Sequence, residues 1–264
     1  MAVEPLPDLQ PELDLALELA DLADAIALPL YESRAFSVDW KSNRTEVTEA
    51  DRNAEAAISD RLAVARPHHA LFGEEHGLRG DAENEWRWVV DPIDGTSNFV
   101  RGIPVWASLV ALVHRDFGPV VGVVSAPALG RRWHGAVGIG AFVGGHRLAV
   151  SPTDAIADAQ VSVTFNKGWD DLGLTPNLVA LQQAAYRPRG FGDFWQHMLV
   201  AEGALDVAVD AIGLQPYDIA AVKVIVEQAG GVLTDRLGVN TYLSNSAVST
   251  NGRLHPEVIS RLNP

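Results

Sequence analysis

Two apolar runs of strand length, Trp106–His114 and Val120–Ser125, stand in the middle of the chain, parted only by the turn-like Arg115-Asp116-Phe117-Gly118-Pro119. Helical patterns lie in blocks on both sides of them. Leu15, Leu19, Leu22, Ile26 and Leu30 recur every three or four positions and predict an amphipathic helix over 12–30, ended or kinked at Pro29. Thr48-Glu-Ala-Asp51 has the form of a capping box and opens a second helix with the stripe Ala50, Ala54, Ile58 and Leu62. Strands are expected at Ala70–Phe72 and at Trp88-Val89-Val90, the latter ending at Asp91. Gly135–Gly145 alternates glycine with Val137, Ile139, Ala141 and Val143 and reads as a bulged hairpin. Its Gly138-x-Gly140 has neither the third glycine nor the following helix of a dinucleotide site. Further on come a strand at Gln160–Thr164, helices at about 178–185 and 194–202, and a strand at Ala204–Val209. Ile219, Val222, Val226 and Ala229 mark a last long helix closed by Gly230-Gly231. Strands and helices in alternating blocks predict a layered α/β or α+β sandwich. Ser151–Asp158 is the expected boundary between an N-terminal lobe, 1–152, and a C-terminal lobe, 153–264.

Composition narrows the chemistry. The 264 residues include no cysteine, which excludes disulfides, thiolate nucleophiles and cysteine zinc sites. Lys and Arg number 20 against 34 Asp and Glu, a net charge of −14 that argues against a nucleic-acid partner. No apolar run approaches the roughly 20 residues of a membrane span. The acidic start, Met1-Ala-Val-Glu-Pro5, is unlike a signal or transit peptide, so a cytoplasmic setting is expected.

Carboxylates gather at predicted strand ends and helix starts, in Gly73-Glu74-Glu75, Asp91-Pro92-Ile93-Asp94-Gly95-Thr96 and Tyr217-Asp218. Two acids three residues apart across a stiff proline can converge on one hard cation, with the Ile93 carbonyl as a further oxygen donor. Gly95 and Thr96 offer main-chain N–H groups to a phosphate if a helix starts there. Together these suggest metal-assisted phosphoryl transfer to water. Taken singly, each fragment also has a plain reading: Asp-Pro-x-Asp-Gly as a turn, Glu74-Glu75 as solvated surface, Asp218 as a helix-start acid.

The longer run Asp91-Pro-Ile-Asp-Gly-Thr-Ser-Asn-Phe99, with Gly73-Glu-Glu75 upstream, resembles the signature of the inositol monophosphatase-like family of Mg²⁺-dependent, lithium-sensitive phosphatases. Tyr217-Asp218-Ile-Ala-Ala221 followed by Glu227-Gln-Ala-Gly-Gly231 is similar to the family's second signature, and Lys41 with Val47-Thr48-x-x-Asp51 to its N-terminal motif. The resemblance implies a five-layer αβαβα sandwich and a homodimer. It implies two to three Mg²⁺ per site, with Mn²⁺ as an alternative: one ion on Glu74, Asp91 and the Ile93 carbonyl, one on Asp91, Asp94 and Asp218, and a weaker one on Glu74. Glu74 and Thr96 would activate water, Asp51 would bond Thr96, and the N–H groups of Gly95 and Thr96 would hold the phosphate of a small-molecule monoester. Lys41 would sit beside the carboxylates.

Two departures bear on the substrate. Tyr217 replaces a common Trp. Ala211 stands where many inositol phosphatases carry a Glu that contacts inositol hydroxyls, which disfavours inositol. Asn98–Trp106, Val123–Trp133 and Gly192–Gly203 resemble instead the histidinol-phosphate phosphatase branch, with inositol 1-phosphate or sugar phosphates as the alternative. A substrate carrying an ammonium and an imidazole calls for acids. Asp193 and Asp210 are the candidates, unless Asp193 merely caps the helix from Phe194. Arg101 and Arg189 either face the phosphate or pair with surface acids. His68 and His69, adjacent on a strand, would point apart and make a poor metal pair. His197, on an apolar helix, reads as a hydrogen-bonded core residue.

Overall fold

The computed structural model describes residues 5–41 and 45–263. Helix α1 (Gln10–Ser33) buries Leu13, Ala16, Leu19, Ala20 and Ala23 at helical spacing. Of the two outcomes expected at Pro29, an end is ruled out: Pro29 lies inside α1, which runs on to its C-cap Arg34, whose φ is 57° and whose N–H bonds the Leu30 carbonyl. The carbonyl that Pro29 deprives of a partner belongs to Ala25, an exposed residue, so solvent can satisfy it. Strands β1 (Val38–Trp40) and β2 (Glu46–Thr48) form an antiparallel ladder, and α2 (Glu49–Ala65) opens at Thr48 with the predicted capping box.

The chain then builds a large sheet. Its strands are β3 (Ala70–Gly73), β4 (Gly77–Arg79), β5 (Trp86–Asp94), β6 (Ala107–His114), β7 (Gly118–Ala126), β8 (Arg131–Ala136), β9 (Gly140–Val143) and β10 (His146–Arg147), with α3 (Thr96–Arg101) between β5 and β6. They lie in the order β10-β9-β8-β7-β6-β5-β3-β4, and β3 beside β5 is its parallel pair. Strand β5 is longer than Trp88–Val90 predicts because its ends pair with β3 and β6. A smaller sheet follows, from β11 (Gln160–Val163), β12 (Arg187–Arg189), β13 (Val207–Val209), β14 (Val232–Thr234) and β15 (Val248–Thr250), in the order β12-β11-β13-β15-β14. Interleaved with it are α4 (Lys167–Asp171), α5 (Thr175–Ala184), α6 (Asp193–Ala201), α7 (Pro216–Gln228) and α8 (His255–Leu262). The strand expected from Ala204 starts only at Val207. The N–H groups of Ala204 and Leu205 both turn back to the Leu199 carbonyl and close α6 instead.

The period of two along the strands sets the layers. Trp88, Val90, Val110 and Leu112 face α1 and α2, while Val89, Leu109 and Ala111 face α7. Helices α6 and α7 fill the space between the two sheets. On the far side, Leu178 and Leu181 of α5 and Val258 and Leu262 of α8 cover Val161, Val163, Val207 and Val209. The result is a five-layer αβαβα sandwich. Each buried Ile, Leu or Val at these contacts contributes about 1.5–3 kcal/mol. Helix α7 sits so close to β7 that a Cβ on Gly122 would lie 2.5 Å from the Ala221 carbonyl oxygen. No described helix is long and apolar enough to cross a membrane.

Candidate active site

Because β3 and β5 run parallel as neighbours, their C-terminal ends emerge together. Glu74 follows β3 directly, its N–H bonded to the Val90 carbonyl (3.2 Å). Strand β5 breaks register with β6 between Asp91 and Asp94, a bulge that re-aims both acids. Ser108 fixes the bulge by donating to the Pro92 carbonyl (2.7 Å), and the Ile93 N–H bonds Asp91 Oδ1 (3.0 Å). Gly95 then turns the chain into α3 at φ 85°, where a Cβ would meet the Val105 carbonyl at 2.9 Å. From the other direction, α7 delivers Asp218 in its first turn, with the Gln215 N–H bonded to Asp218 Oδ2 (2.6 Å).

One carboxylate oxygen from each of Asp91, Asp94 and Asp218 lies within 4.8 Å of the others. They line a cleft of about 340 Å³ with Glu74, Ile93, Gly95 and Thr96, and also with Thr45, Glu46 and Ser97, which the sequence reading does not single out. Lys41 Nζ bonds Glu74 Oε1 (2.7 Å) and Glu75 Oε1 (2.6 Å). Burial opposes the charge on Lys41, but these two carboxylates win and push its pKa up to about 12. The Thr96 hydroxyl lies 3.2 Å from Asp51 Oδ1 and 3.0 Å from the Ile93 carbonyl oxygen. Asp51 is buried, and its other oxygen accepts the Thr48 N–H (2.8 Å) and hydroxyl (2.6 Å), so the helix cap also orients the group beside Thr96.

The cluster is electrostatically strained as it stands. Burial first, then Glu74, Asp94 and Asp218, holds Asp91 well above the usual carboxylate range. Burial, Asp193 and Asp218 do the same to Asp94. Asp218 is pushed to about 7, chiefly by burial, against the opposing Gln215 N–H. An all-oxygen set with mutually repelling charges is the donor chemistry of a hard divalent cation. The residues present fit such an ion.

Beyond Asp94 lies a second acidic group. The Phe194 N–H at the start of α6 donates to Asp94 Oδ2 (2.8 Å), across 100 residues. This corrects one reading of Asp193. The helix includes Asp193, at φ 47°, and its start receives no side-chain cap from that residue, because Asp94 takes the orphan N–H. Asp193 instead accepts from Asn98 Nδ2 (2.8 Å), and burial, with Asp210 adding, pushes it to about 6. His197 is buried, with Nε2 2.9 Å from Asp210 Oδ2 and Nδ1 2.7 Å from Ser249 Oγ. Asp210 Oδ1 accepts the Ala211 N–H (2.7 Å), so a carboxylate stands next to the alanine. Asn98 lies inside the Asp91–Phe99 motif, but its bond to Asp193 is reached only through the fold, as is that of Ser249 to His197.

Arg189 does not join these residues. It lies on the edge strand β12, donates to the Pro188 carbonyl (2.8 Å), and is not among the residues lining the cleft. Arg101 pairs with Glu46 (3.3 Å). His68 and His69 sit in a turn rather than a strand, and His69 Nδ1 accepts from Trp88 Nε1 (3.2 Å). Tyr217 packs its ring against Phe72, 5.9 Å between centroids.

Paired carboxylates at parallel strand ends, a glycine turn into a short helix and an acid from a second helix make up an acidic cleft, with oxygen donors suited to a hard cation, within an αβαβα sandwich. The inositol monophosphatase family model matches residues 8–263, and the chain belongs to that family, whose members are metal-dependent. It is 46% identical over 258 residues to a histidinol-phosphatase of Mycobacterium tuberculosis, covering 96% of this chain and 98% of that one. It is 42% identical over 266 residues to a histidinol-phosphatase of Streptomyces coelicolor, covering 98% and 99%. The structure superposes on the extragenic suppressor protein suhB of Bartonella henselae with a TM-score of 0.87 at 27% identity, covering 96% and 99%.

Proposed function

We propose that this chain is a Mg²⁺-dependent phosphomonoesterase that hydrolyses L-histidinol phosphate to L-histidinol and phosphate. The observation that carries the hydrolase reading is the convergence of Asp91, Asp94 and Asp218 oxygens within 4.8 Å. The substrate reading draws on the histidinol-phosphatase relatives and on the acidic Asp193–Asp210 group next to the cluster, which complements an ammonium or imidazolium.

Glu74, Asp91, Ile93, Asp94 and Asp218 would hold two to three divalent ions. Bound there, such ions supply Lewis-acid charge for the attacking and leaving oxygens. The chain does the rest. The N–H groups of Gly95 and Thr96 hold the phosphate. Asp51, anchored by Thr48, orients the Thr96 hydroxyl, which with Glu74 positions a water; as the water attacks phosphorus in line its proton passes to the Glu74 carboxylate, the ester P–O bond breaks, and the alcohol oxygen leaves, taking up a proton from solvent. Lys41 holds Glu74 in place through their ion pair. Asp193 and Asp210 orient the amine end, and Ala211 leaves out a partner for inositol hydroxyls. The active form is read as a cytoplasmic homodimer, inhibited by lithium as its family is.

A phosphate-release assay comparing L-histidinol phosphate with inositol 1-phosphate, with and without Mg²⁺, tests this. The expected result is Mg²⁺-dependent turnover with kcat/KM favouring histidinol phosphate. Preference for the inositol ester would replace the substrate, and no turnover of either would overturn the reading.

A further inference from the structure

Helix α2 carries two buried acids one turn apart, and only Asp51 has been given a task. The other is Glu55, 1% exposed. Its Oε2 accepts the Glu75 N–H (2.7 Å), and its Oε1 accepts the His76 N–H (2.9 Å) and lies 2.8 Å from His76 Nδ1. The carboxylate therefore grips the turn immediately after Glu74 with both oxygens. The approach is so close that a Cβ on Gly73 would fall 2.3 Å from Glu55 Cδ and Oε1. Gly73 has no unusual φ, so it is space for Glu55, not backbone conformation, that demands glycine before the two glutamates.

We propose that Glu55 is the positioning residue for Glu74. Glu74 is fixed on one side by its own N–H on Val90 of β5 and on the other by the grip of Glu55 on the next two amides. With both in place the Glu74 side chain has one backbone frame from which to reach the cleft, and α2 sets both it and, through Asp51, Thr96. A carboxylate is required rather than an amide, because two N–H donors meet two acceptor oxygens. An amide would turn its NH₂ toward one of them and leave that donor unpaired. The inference rests on the reading of Glu74 as ligand and water activator.

Glu55→Gln tests it through three readouts: hydrogen exchange of the Glu75 and His76 amides, calorimetric affinity for Mn²⁺ alone, and kcat and KM for L-histidinol phosphate. The expected result is exchange at those two amides about tenfold faster or more, and Mn²⁺ affinity about tenfold weaker or more. kcat falls by a similar factor with KM within about twofold, the range that outer-shell partners of metal ligands control. Mn²⁺ affinity and kcat within twofold of the parent, whatever the melting temperature does, would overturn the proposal and leave Glu55 a purely structural group. If the Gln variant does not fold, Glu55→Asp, which keeps both oxygens one methylene short, is judged by the same criteria. A parent protein that binds no Mn²⁺ would refute the functional reading instead, while exchange at residues 75 and 76 still decides whether Glu55 holds the turn.

Discussion

On one side of the cleft, Asp91 and Asp218 each rest an oxygen on a main-chain N–H two or three residues away, at a strand end and a helix start. On the far side of Asp94, outside the cleft lining, Asp193, His197 and Asp210 are held by side chains such as Asn98 and Ser249, 95 and 52 residues distant from their partners. The first arrangement is written into short contiguous runs and constrains which residues stand next to one another. The second is assembled by packing α6 between the two sheets. The hydrogen bonds that hold the first group are local in sequence, and those that hold the second are not. Asp94 joins the two sides, since it belongs to the cluster and also receives the first amide of α6.

If that division is right, damage to the first side should abolish turnover and damage to the second should redirect it. The largest effect is expected from Asp94→Asn. The amide oxygen can still accept the Phe194 N–H, so the fold should persist, while the lost charge lowers kcat by about a thousandfold, ~4 kcal/mol. Near-normal turnover at saturating Mg²⁺ would remove Asp94 from the machinery.

A second test concerns the charge of the cluster. Burial and mutual repulsion raise the folded pKa of Asp91, Asp94 and Asp218, the last to about 7. A carboxyl whose folded pKa exceeds its unfolded value binds more protons when folded, so its stabilising effect is complete at low pH and is lost as pH rises toward the folded pKa. Without divalent ions, the melting temperature should drop by several degrees between about pH 5 and about pH 8, and saturating Mg²⁺ should largely abolish the drop. A metal-free protein equally stable at both ends would mean that the carboxylates do not repel one another.

Smaller, and confined to the other side, is the effect of Asp210→Asn. It keeps the hydrogen bonds to His197 and Ala211 within reach but removes one carboxylate of the proposed amine-binding group. kcat/KM for histidinol phosphate should fall about thirtyfold, ~2 kcal/mol, with inositol 1-phosphate turnover little changed. Equal losses for both substrates would erase the distinction between the two sides. The smallest effect is expected from Thr48→Ala, which removes the cap of α2 and one bond to Asp51. About 1 kcal/mol of stability should be lost, measured by denaturant unfolding.

How much of this the chain reveals unaided follows the same division. The capping box at Thr48–Asp51, the strand that delivers Asp91 and the helix that carries Asp218 all depend on neighbours within a few residues, so pattern and spacing expose them. Pro29 left an end or a kink open because the penalty of a proline depends on whether the orphaned carbonyl is wet, and burial is a property of the fold. For Asp193 a helix cap stood beside the reading as an ammonium partner, because Asp commonly caps helices. No local rule says that an acid 99 residues earlier, Asp94, would take the role. Glu55 stands one helical turn beyond Asp51, beside the apolar stripe of α2, but its partners lie 20 and 21 residues on, beyond β3.

The most direct measurement is anomalous diffraction from crystals soaked in Mn²⁺. The account predicts a strong peak within coordination distance of Asp91, Asp94 and Asp218, with Glu74 turned toward it. Well-ordered carboxylates with no manganese among them would contradict it.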